Sequence, residues 1–354
     1  MLKVEIRSAW MLRDADGSTT ALPELLALLT VVSKLGSIGA AAAECGFSYR
    51  HAWGLLQQFD LQFGAQLVYK VRGKGTVLSP LAEKLIWADR RISARLTPTL
   101  DSLASELQQE LASVMADRPQ ALRLTASHGF AVAALVSRLE AQGHAVDIKY
   151  RGSTEAVAAL ARGECELAGF HLPVGRFEQA AADKYRPWIS AKQHTLLHLA
   201  FRTQGIFLPK GNPGRIAGLA DLARPGLRFV NRQQGSGTRV LLELLLADIG
   251  IETSAIAGFD SAEFTHAAVA AYVASAMADA SFGVETAARR FDLDFIPVIR
   301  EQYFLACEKK ALGTPLLAAA QQTMASDAFK AALAELPGYE GQLCGTALEM
   351  DELF

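Results

Sequence analysis

From residue 119 to about residue 336 the chain alternates strand-like apolar runs with helix-like amphipathic runs. Few architectures accept that pattern, and the usual one is a parallel sheet with crossover helices. The strand candidates are ALRLTAS (121–127), AVDIKYRG (145–152), ELAGFHL (166–172), LRFVNR (227–232), AIAGFD (255–260) and DFIPVI (294–299). Three junctions to a following helix carry small polar residues: Ser127 with His128, Ser153 with Thr154, and Ser236 with Thr238. A helix N-terminus offers unpaired N–H groups and partial positive charge, so several of them converging at one crevice make an anion site.

The stretch FVNRQQGSGTRVLLELLLADIGI (229–251) states this most fully. Gly235 and Gly237 let backbone approach a ligand, the hydroxyls of Ser236 and Thr238 add donors, and Arg232 and Arg239 add charge. The turn lacks the GK[ST] of a phosphate-binding P-loop and the spacing of a dinucleotide turn. It is also not a GxSxG nucleophile elbow, so Ser236 is a weak candidate nucleophile. A glycine-rich turn capping a structural helix is the plain alternative, and the two other junctions of the same chemistry weigh against it.

The first 95 residues are patterned differently. The segment LLALLTVVSKLGSIGAAAAECGFSYRHAWGLLQQFDLQFGAQLVYKVRGKGTVLSP reads as helix, turn, helix, turn, helix, hairpin. Ser37 and Ser48 are placed to cap the second and third helices, and Gly46 to end the second. The short CGFS connection suits the angled pair of a helix-turn-helix, with Tyr49 and Arg50 in the first turn of its second helix. The hairpin sets Lys70, Arg72 and Lys74 around Gly73 and Gly75, as a wing does. Residues 48–95 hold eight Lys or Arg against three acids, in a chain of net charge −2. A basic patch on a negative chain is the footprint of phosphate binding; a solvated basic face is the alternative. Residues 96–118 place Leu100, Leu103, Leu107 and Leu111 at helical spacing, an apolar stripe for subunit pairing or for packing on its own domain.

Composition narrows the class. At 354 residues and 51% hydrophobic the chain is globular, with room for two or three domains. The N-terminus lacks the apolar run of a secretory signal, and no run of about 18 apolar residues spans a membrane, which predicts a cytoplasmic protein with no membrane partner. Cys45, Cys165, Cys307 and Cys344 lie far apart, so no metal site is expected.

The first quarter, GSIGAAAAECGFSYRHAWGLLQQFDLQFGAQLVYKVRGKGTVLSPLAEKL, resembles the winged helix-turn-helix of ModE-type regulators, relatives in shape of the LysR-type DNA-binding domain. The resemblance implies DNA contact by Ser48, Tyr49 and Arg50, and a subunit-pairing helix after the wing. Residues of roughly 120–336, with ASHGF, RGSTEAVAALARGECELAGFHLP, RTQGIFLPKGNP, NRQQGSGTR, GFDSAEFTHAAVAAYVASAMADASFG and LDFIPVIREQYFLAC, resemble the periplasmic-binding-protein-like domain found fused to such modules, akin to molybdate-binding transport proteins. Relatives tend to read Ser-His-Asp where this chain has Ser127, His128 and Gly129.

The expected architecture is therefore α/β: an N-terminal winged helix-turn-helix domain (1–95), a linker or dimerisation helix (96–118) and a bilobal, type II periplasmic-binding-protein-like domain (119–354). Its ligand-facing candidates are Ser127, His128, Ser153, Thr154, Arg232, Ser236, Gly237, Thr238, Arg239, Thr265, His266 and Tyr303. His266 and Tyr303 are open to a second role, satisfied polar groups in a core, and His171 to one at a hinge or lining. The function implied is a one-component transcription regulator, a homodimer or higher homo-oligomer without catalytic residues or a cofactor. It would bind promoter DNA and sense a small anion linked to molybdenum or tungsten: molybdate, tungstate or a molybdenum-cofactor species. The rivals are an enzyme on the same fold with GSGTR holding a substrate phosphate, a cytoplasmic sensor of a small carboxylate or phosphate, and a transport binding protein. No nucleophile, base and orienting group can be assembled from the sequence.

Overall fold

In the computed structural model residues 3–114 and 120–350 are described. The boundary expected at 118/119 and the C-terminal residues 351–354 lie outside them. Arg7–Ser93 form one compact unit, and the chain from Ala94 onward, with the residues up to Ile6, forms the other.

The smaller unit opens with a short antiparallel pair, β1 (Met11–Arg13) and β2 (Thr19–Ala21). Helices α1 (Pro23–Leu35), α2 (Ile38–Glu44) and α3 (Tyr49–Phe63) follow. Ser37 accepts a hydrogen bond from the Ala40 amide and Ser48 one from the His51 amide, so both expected caps are formed. Gly36, at φ +63°, ends α1 in the left-handed conformation. Leu25, Leu29, Ile38, Ala52, Leu56 and Phe59 pack the core between the three helices. Strands β3 (Val68–Val71) and β4 (Gly75–Leu78) make the hairpin. The Thr76 amide donates to the Gly36 carbonyl at 2.7 Å, tying the hairpin to the α1–α2 turn.

Helix α4 runs without interruption from Pro80 to Val114. The separate linker or dimerisation helix expected from 96 is instead the second half of α4, which contains Pro98. The helix continues through that proline, which removes one helical donor and leaves the Ala94 carbonyl without its usual partner. The Thr265 hydroxyl donates to that carbonyl at 3.0 Å. Ser102 and Ser105 on the same helix accept from the amides of Tyr150 and Ile148. This segment thus packs by its serine face, while Leu103, Leu107 and Leu111 stay exposed, Leu103 by 47%.

The larger unit is a single mixed sheet with helices on its faces. Its strands are β5 (Leu122–Ala126), β6 (Val146–Tyr150), β7 (Leu167–Pro173), β8 (His194–Leu208), β9 (Phe229–Arg232), β10 (Ala262–Glu263), β11 (Ala280–Val284) and β12 (Asp294–Glu308), with β13 (Tyr339–Glu340) and β14 (Ala347–Leu348) added on β8. The strand order is β10-β9-β11-β8-β12-β7-β5-β6. Helices α5 (Phe130–Ala141), α6 (Ser153–Ala161) and α7 (Glu178–Ala182) belong to the first half, and α8 (Gly237–Asp248), α9 (His266–Ala274) and α10 (Glu285–Arg290) to the second. Helices α11 (Pro315–Ala325) and α12 (Asp327–Ala334) pack back on α5 through Leu317, Met324, Phe329 and Leu333.

Two corrections follow. The sheet is not wholly parallel: β5–β6 and β5–β7 are parallel, as are β9–β10 and β9–β11, but β8 and β12 run antiparallel to each other and to the strands beside them. These two strands of 15 residues each join the halves, giving the curled, bilobal α/β arrangement. Helix-spaced polar residues hid β8, and Ala-rich surroundings hid β11. The second correction is residues 255–260, which form no strand. Gly258 sits at φ +88°, and a β-carbon there would lie 2.2 Å from the Phe229 carbonyl, so the segment is a turn pressed against β9.

Candidate functional site

Strands project alternate side chains to one face, and the two long strands use this to deliver polar groups to the middle of the larger unit. From β12 come Glu301 and Tyr303, from β8 Arg202 and Gln204, all buried. The Arg202 Nε donates to the Glu301 carboxylate. The Arg202 guanidinium lies 5.1 Å from the Tyr303 ring centroid, and His171 on β7 stacks on that ring at 5.2 Å. The Tyr303 hydroxyl is 3.2 Å from Ser127 Oγ at the end of β5, and Gln204 Nε2 donates to Thr238 Oγ1 at 3.2 Å.

Three helices begin around this cluster. Ser236 caps α8 by accepting from the Arg239 amide, which leaves its own hydrogen free to donate. At Gly237, the first residue of α8, a β-carbon would stand 2.4 Å from His171 Nε2. At Gly152, just before α6, one would stand 3.0 Å from the Gly235 carbonyl, so the start of α6 abuts the GSG turn. At Gly129, before α5, one would stand 3.8 Å from an Arg202 terminal nitrogen. The glycines are where backbone and charged side chains come together.

The electrostatics are unbalanced. Arg202 has a carboxylate partner. Arg232, 2% exposed, donates to the Phe264 carbonyl at 2.8 Å, and its Nε has no hydrogen-bond partner among the described residues. Burial, with the neighbouring Arg202 charge, pushes the Arg232 guanidinium down to about 9. Burial, with the charges of Arg232 and Arg290, pushes His128 down to about 4. His171 and His266 are held well below the ordinary histidine range by burial and then by the two arginines. All three imidazoles are therefore neutral at pH 7. Neither ring nitrogen of His171 has a hydrogen-bond partner among the described residues. A buried guanidinium with no carboxylate is costly, and a bound oxyanion would offset that cost through charge-assisted hydrogen bonds.

The expected ligand-facing residues fall into groups. Ser127, Ser153, Arg232, Ser236, Gly237, Thr238, His266 and Tyr303 are buried in or beside the cluster. His266 Nδ1 accepts from the Val284 amide at 3.4 Å, the satisfied-core role left open above. His128 is half-buried, edge-on to Tyr150 at 4.9 Å. Thr154 and Arg239 line a groove of roughly 480 Å³ with Trp188 and Lys184. Arg239 differs from expectation: its guanidinium is held by Glu243 and Asp260, each at 3.0 Å. Thr265 differs too, because its hydroxyl donates to the Ala94 carbonyl and accepts from the Ala268 amide as the cap of α9.

Arg202, Gln204 and Glu301 were missed in the sequence. Their signal was present as charged and amide residues at alternate positions, FRTQG and REQYF, inside otherwise apolar runs. Only burial on both faces of the sheet reveals that such residues point inward. No group of three or more His, Cys, Asp or Glu among the described residues could hold a metal ion.

In the smaller unit Arg50, Lys70, Arg72 and Lys74 are exposed, as is Tyr49 by 56%, while the Ser48 hydroxyl is engaged as the cap of α3. Gly75 has φ +75°, and a β-carbon there would lie 2.4 Å from the Gly36 carbonyl. Among the described residues no helix is long and apolar enough to cross a membrane.

The chain is 34% identical over 200 residues to the uncharacterized protein YvgK of Bacillus subtilis (strain 168), covering 56% of this chain and 64% of that protein. It is 37% identical over 112 residues to the molybdenum-pterin-binding protein MopB of Rhodobacter capsulatus, covering 30% of this chain and 41% of MopB. The chain thus spans less than two thirds of the length of either relative. Among solved structures, the C206 mutant of OxyR from Corynebacterium glutamicum superposes with a TM-score of 0.43 at 15% identity, over 88% of this chain and 93% of that one. The family described as the PBP superfamily domain matches residues 136–325, more than half of the chain, and the curled two-halved sheet agrees with it: the protein belongs to the PBP superfamily.

Proposed function

We propose that the protein is a one-component transcription regulator whose larger unit senses a small oxyanion and whose smaller unit is a winged helix-turn-helix that binds promoter DNA. The observation that carries the sensor reading is Arg232. It is a buried guanidinium that donates to a backbone carbonyl, beside His171, whose ring nitrogens have no hydrogen-bond partner among the described residues, and the N-terminus of α8. An oxyanion is the ligand class that such donors accommodate. The likeness to MopB favours molybdate, tungstate or a molybdenum-cofactor species within that class.

The DNA reading is supported by the capped pair α2 and α3, by exposed Tyr49 and Arg50 in the first turn of α3, and by Lys70, Arg72 and Lys74 on the hairpin. The exposed leucines of α4 suit an apolar contact between two copies, which makes the working form a dimer. Residues 263–265 offer a route between ligand and helix. The Phe264 carbonyl holds Arg232, Glu263 pairs with Arg95 at 3.4 Å, and Thr265 holds the Ala94 carbonyl. An anion drawing on Arg232 shifts the loop that grips α4, and a ligand that favours one setting of that loop changes DNA affinity.

The test combines two measurements on the full chain. Melting temperature is read against molybdate, tungstate, phosphate, sulfate and formate, because a ligand of the folded state raises it. Binding to promoter and random duplexes is read by fluorescence anisotropy with and without the stabilising anion. Stabilisation by an oxyanion together with anion-dependent DNA affinity is the expected result. No stabilisation removes the sensor reading, and no DNA binding removes the regulator reading.

A further inference from the structure

We propose that the site separates tetrahedral oxyanions by charge, accepting a monoanion directly and a dianion only together with one proton, which His171 carries. The inference rests on the reading of the cluster as an anion site and adds the rule by which that site chooses.

The charge count comes from the buried residues. Arg202 and Arg232 supply two positive charges, and Glu301, in direct contact with Arg202, supplies one negative charge. The remaining groups that face His171 are neutral: Tyr303 stacked on its ring, Tyr185 with its hydroxyl 3.5 Å from the His171 carbonyl, and His266. The cluster thus carries one uncompensated positive charge among side chains buried from solvent. A monoanion balances it. A dianion leaves one negative charge buried, which is costly in a medium of low dielectric constant.

His171 is the group placed to remove that imbalance. His171 is 5% exposed, and both of its ring nitrogens lack partners among the described residues. Nε2 is turned to Gly237, the first residue of α8, a helix of 12 residues whose leading amides define where an anion would be held. A neutral imidazole has one donor and one acceptor nitrogen, and the acceptor would set its lone pair against the oxygens of the ligand. Protonation turns both nitrogens into donors. Without ligand, burial and then the two arginine charges oppose that protonation; a dianion cancels those charges and adds a negative charge beside the ring, and the proton is drawn from the buffer as the ligand enters. His266 is less suited, because its Nδ1 already accepts from the Val284 amide. His128 lies at the half-exposed edge and faces Arg232 and Arg290.

The sign follows from linkage. The free imidazole is neutral and the dianion complex holds one more proton, so dianion affinity falls as pH rises, by about tenfold per pH unit at full uptake. Monoanion affinity stays flat.

Tungstate and perrhenate are the probes, since both are tetrahedral and they differ by one charge. Calorimetric titration of the full chain between pH 7 and 8.5, in buffers of different ionisation enthalpy, counts the protons exchanged. The expected result is about one proton taken up with tungstate and none with perrhenate. His171→Gln should abolish the proton uptake and the pH dependence for tungstate, and perrhenate should still bind it, if more weakly, with no proton exchanged. Tungstate binding without proton uptake, or uptake that persists in folded His171→Gln, overturns the proposal and leaves the anion site standing. Proton counting on the unaltered chain decides the charge rule even where His171→Gln does not fold. Failure of both anions to bind removes the anion site itself, and the proposal with it.

Discussion

Gly237 lies directly against the imidazole of His171, so closely that a β-carbon at position 237 would stand 2.4 Å from Nε2. The first turn of α8 and the β7 imidazole can share this space only because residue 237 has no side chain. Gly237→Ala should displace His171 and cost about 1–3 kcal/mol in stability, the usual range for overpacking. Anion affinity should fall at least about tenfold, because donors at the helix terminus lose their alignment. Calorimetry of a folded variant that binds tungstate normally would remove the α8 terminus from the site.

Arg232→Met exchanges a buried, carboxylate-free guanidinium for an apolar chain of similar length. The stability of the ligand-free chain should be unchanged or raised, by up to about 4 kcal/mol, while stabilisation by oxyanions disappears. Denaturant melts with and without tungstate measure both effects. A large loss of stability in the ligand-free chain would mean that Arg232 is a structural residue, held adequately by the Phe264 carbonyl.

Thr265→Val keeps the shape of the cap but removes the hydroxyl that serves both Ala94 and the start of α9. Loss of the cap should cost about 1 kcal/mol. Oxyanion affinity should change little, whereas the difference in DNA affinity with and without anion should shrink. A Thr265→Val chain with full anion response of DNA binding would exclude the 263–265 route.

On the smaller unit, Gly75→Ala forces a side chain into left-handed backbone against the Gly36 carbonyl. The strain should cost about 1–3 kcal/mol and loosen the hairpin from the α1–α2 turn. DNA affinity should weaken without a change in its salt slope, since no cation is lost. Replacing Lys70, Arg72 and Lys74 with Ala should instead flatten that slope. Equal salt slopes for the triple variant and the parent would assign the hairpin a role away from the phosphates.

Leu103→Glu combined with Leu107→Glu places charge on the exposed stripe of α4. If this stripe joins two copies, the pair of changes should convert dimers to monomers at low micromolar concentration in sedimentation. Because both leucines are exposed in the single chain, the melting temperature of the monomer should move little. An unaltered sedimentation coefficient would separate the stripe from assembly.

Much of the local structure could be read without coordinates, because its causes are local. Ser37, Ser48 and Ser236 cap helices within three residues of themselves, and Gly36 and Gly46 take the positive φ that ends a helix. The same short-range logic identified the β3–β4 hairpin and the hydroxyl-bearing starts of α6 and α8. It failed wherever the deciding partner lay far along the chain. Thr265 has the chemistry of a ligand donor, and only Pro98, 167 positions earlier, leaves free the carbonyl that takes its hydrogen. Arg239 lies close to Ser236 in sequence, yet its guanidinium is held by Asp260, 21 positions further on, together with Glu243.

By itself, then, the sequence determined the capped helices of the smaller unit, the hairpin and the small polar residues at the starts of α6 and α8, since each follows from the conformation of a few consecutive residues. Tertiary structure decided which polar groups share one buried space. Arg202 and Glu301 come together only because β8 and β12 pair antiparallel in a register that sets Glu301 opposite Arg202. That pairing leaves Arg232 as the charge without a carboxylate partner among the described residues, a property of three strands and not of any one segment. Charge balance in a buried cluster is a sum over groups distant in sequence, and no local pattern carries it.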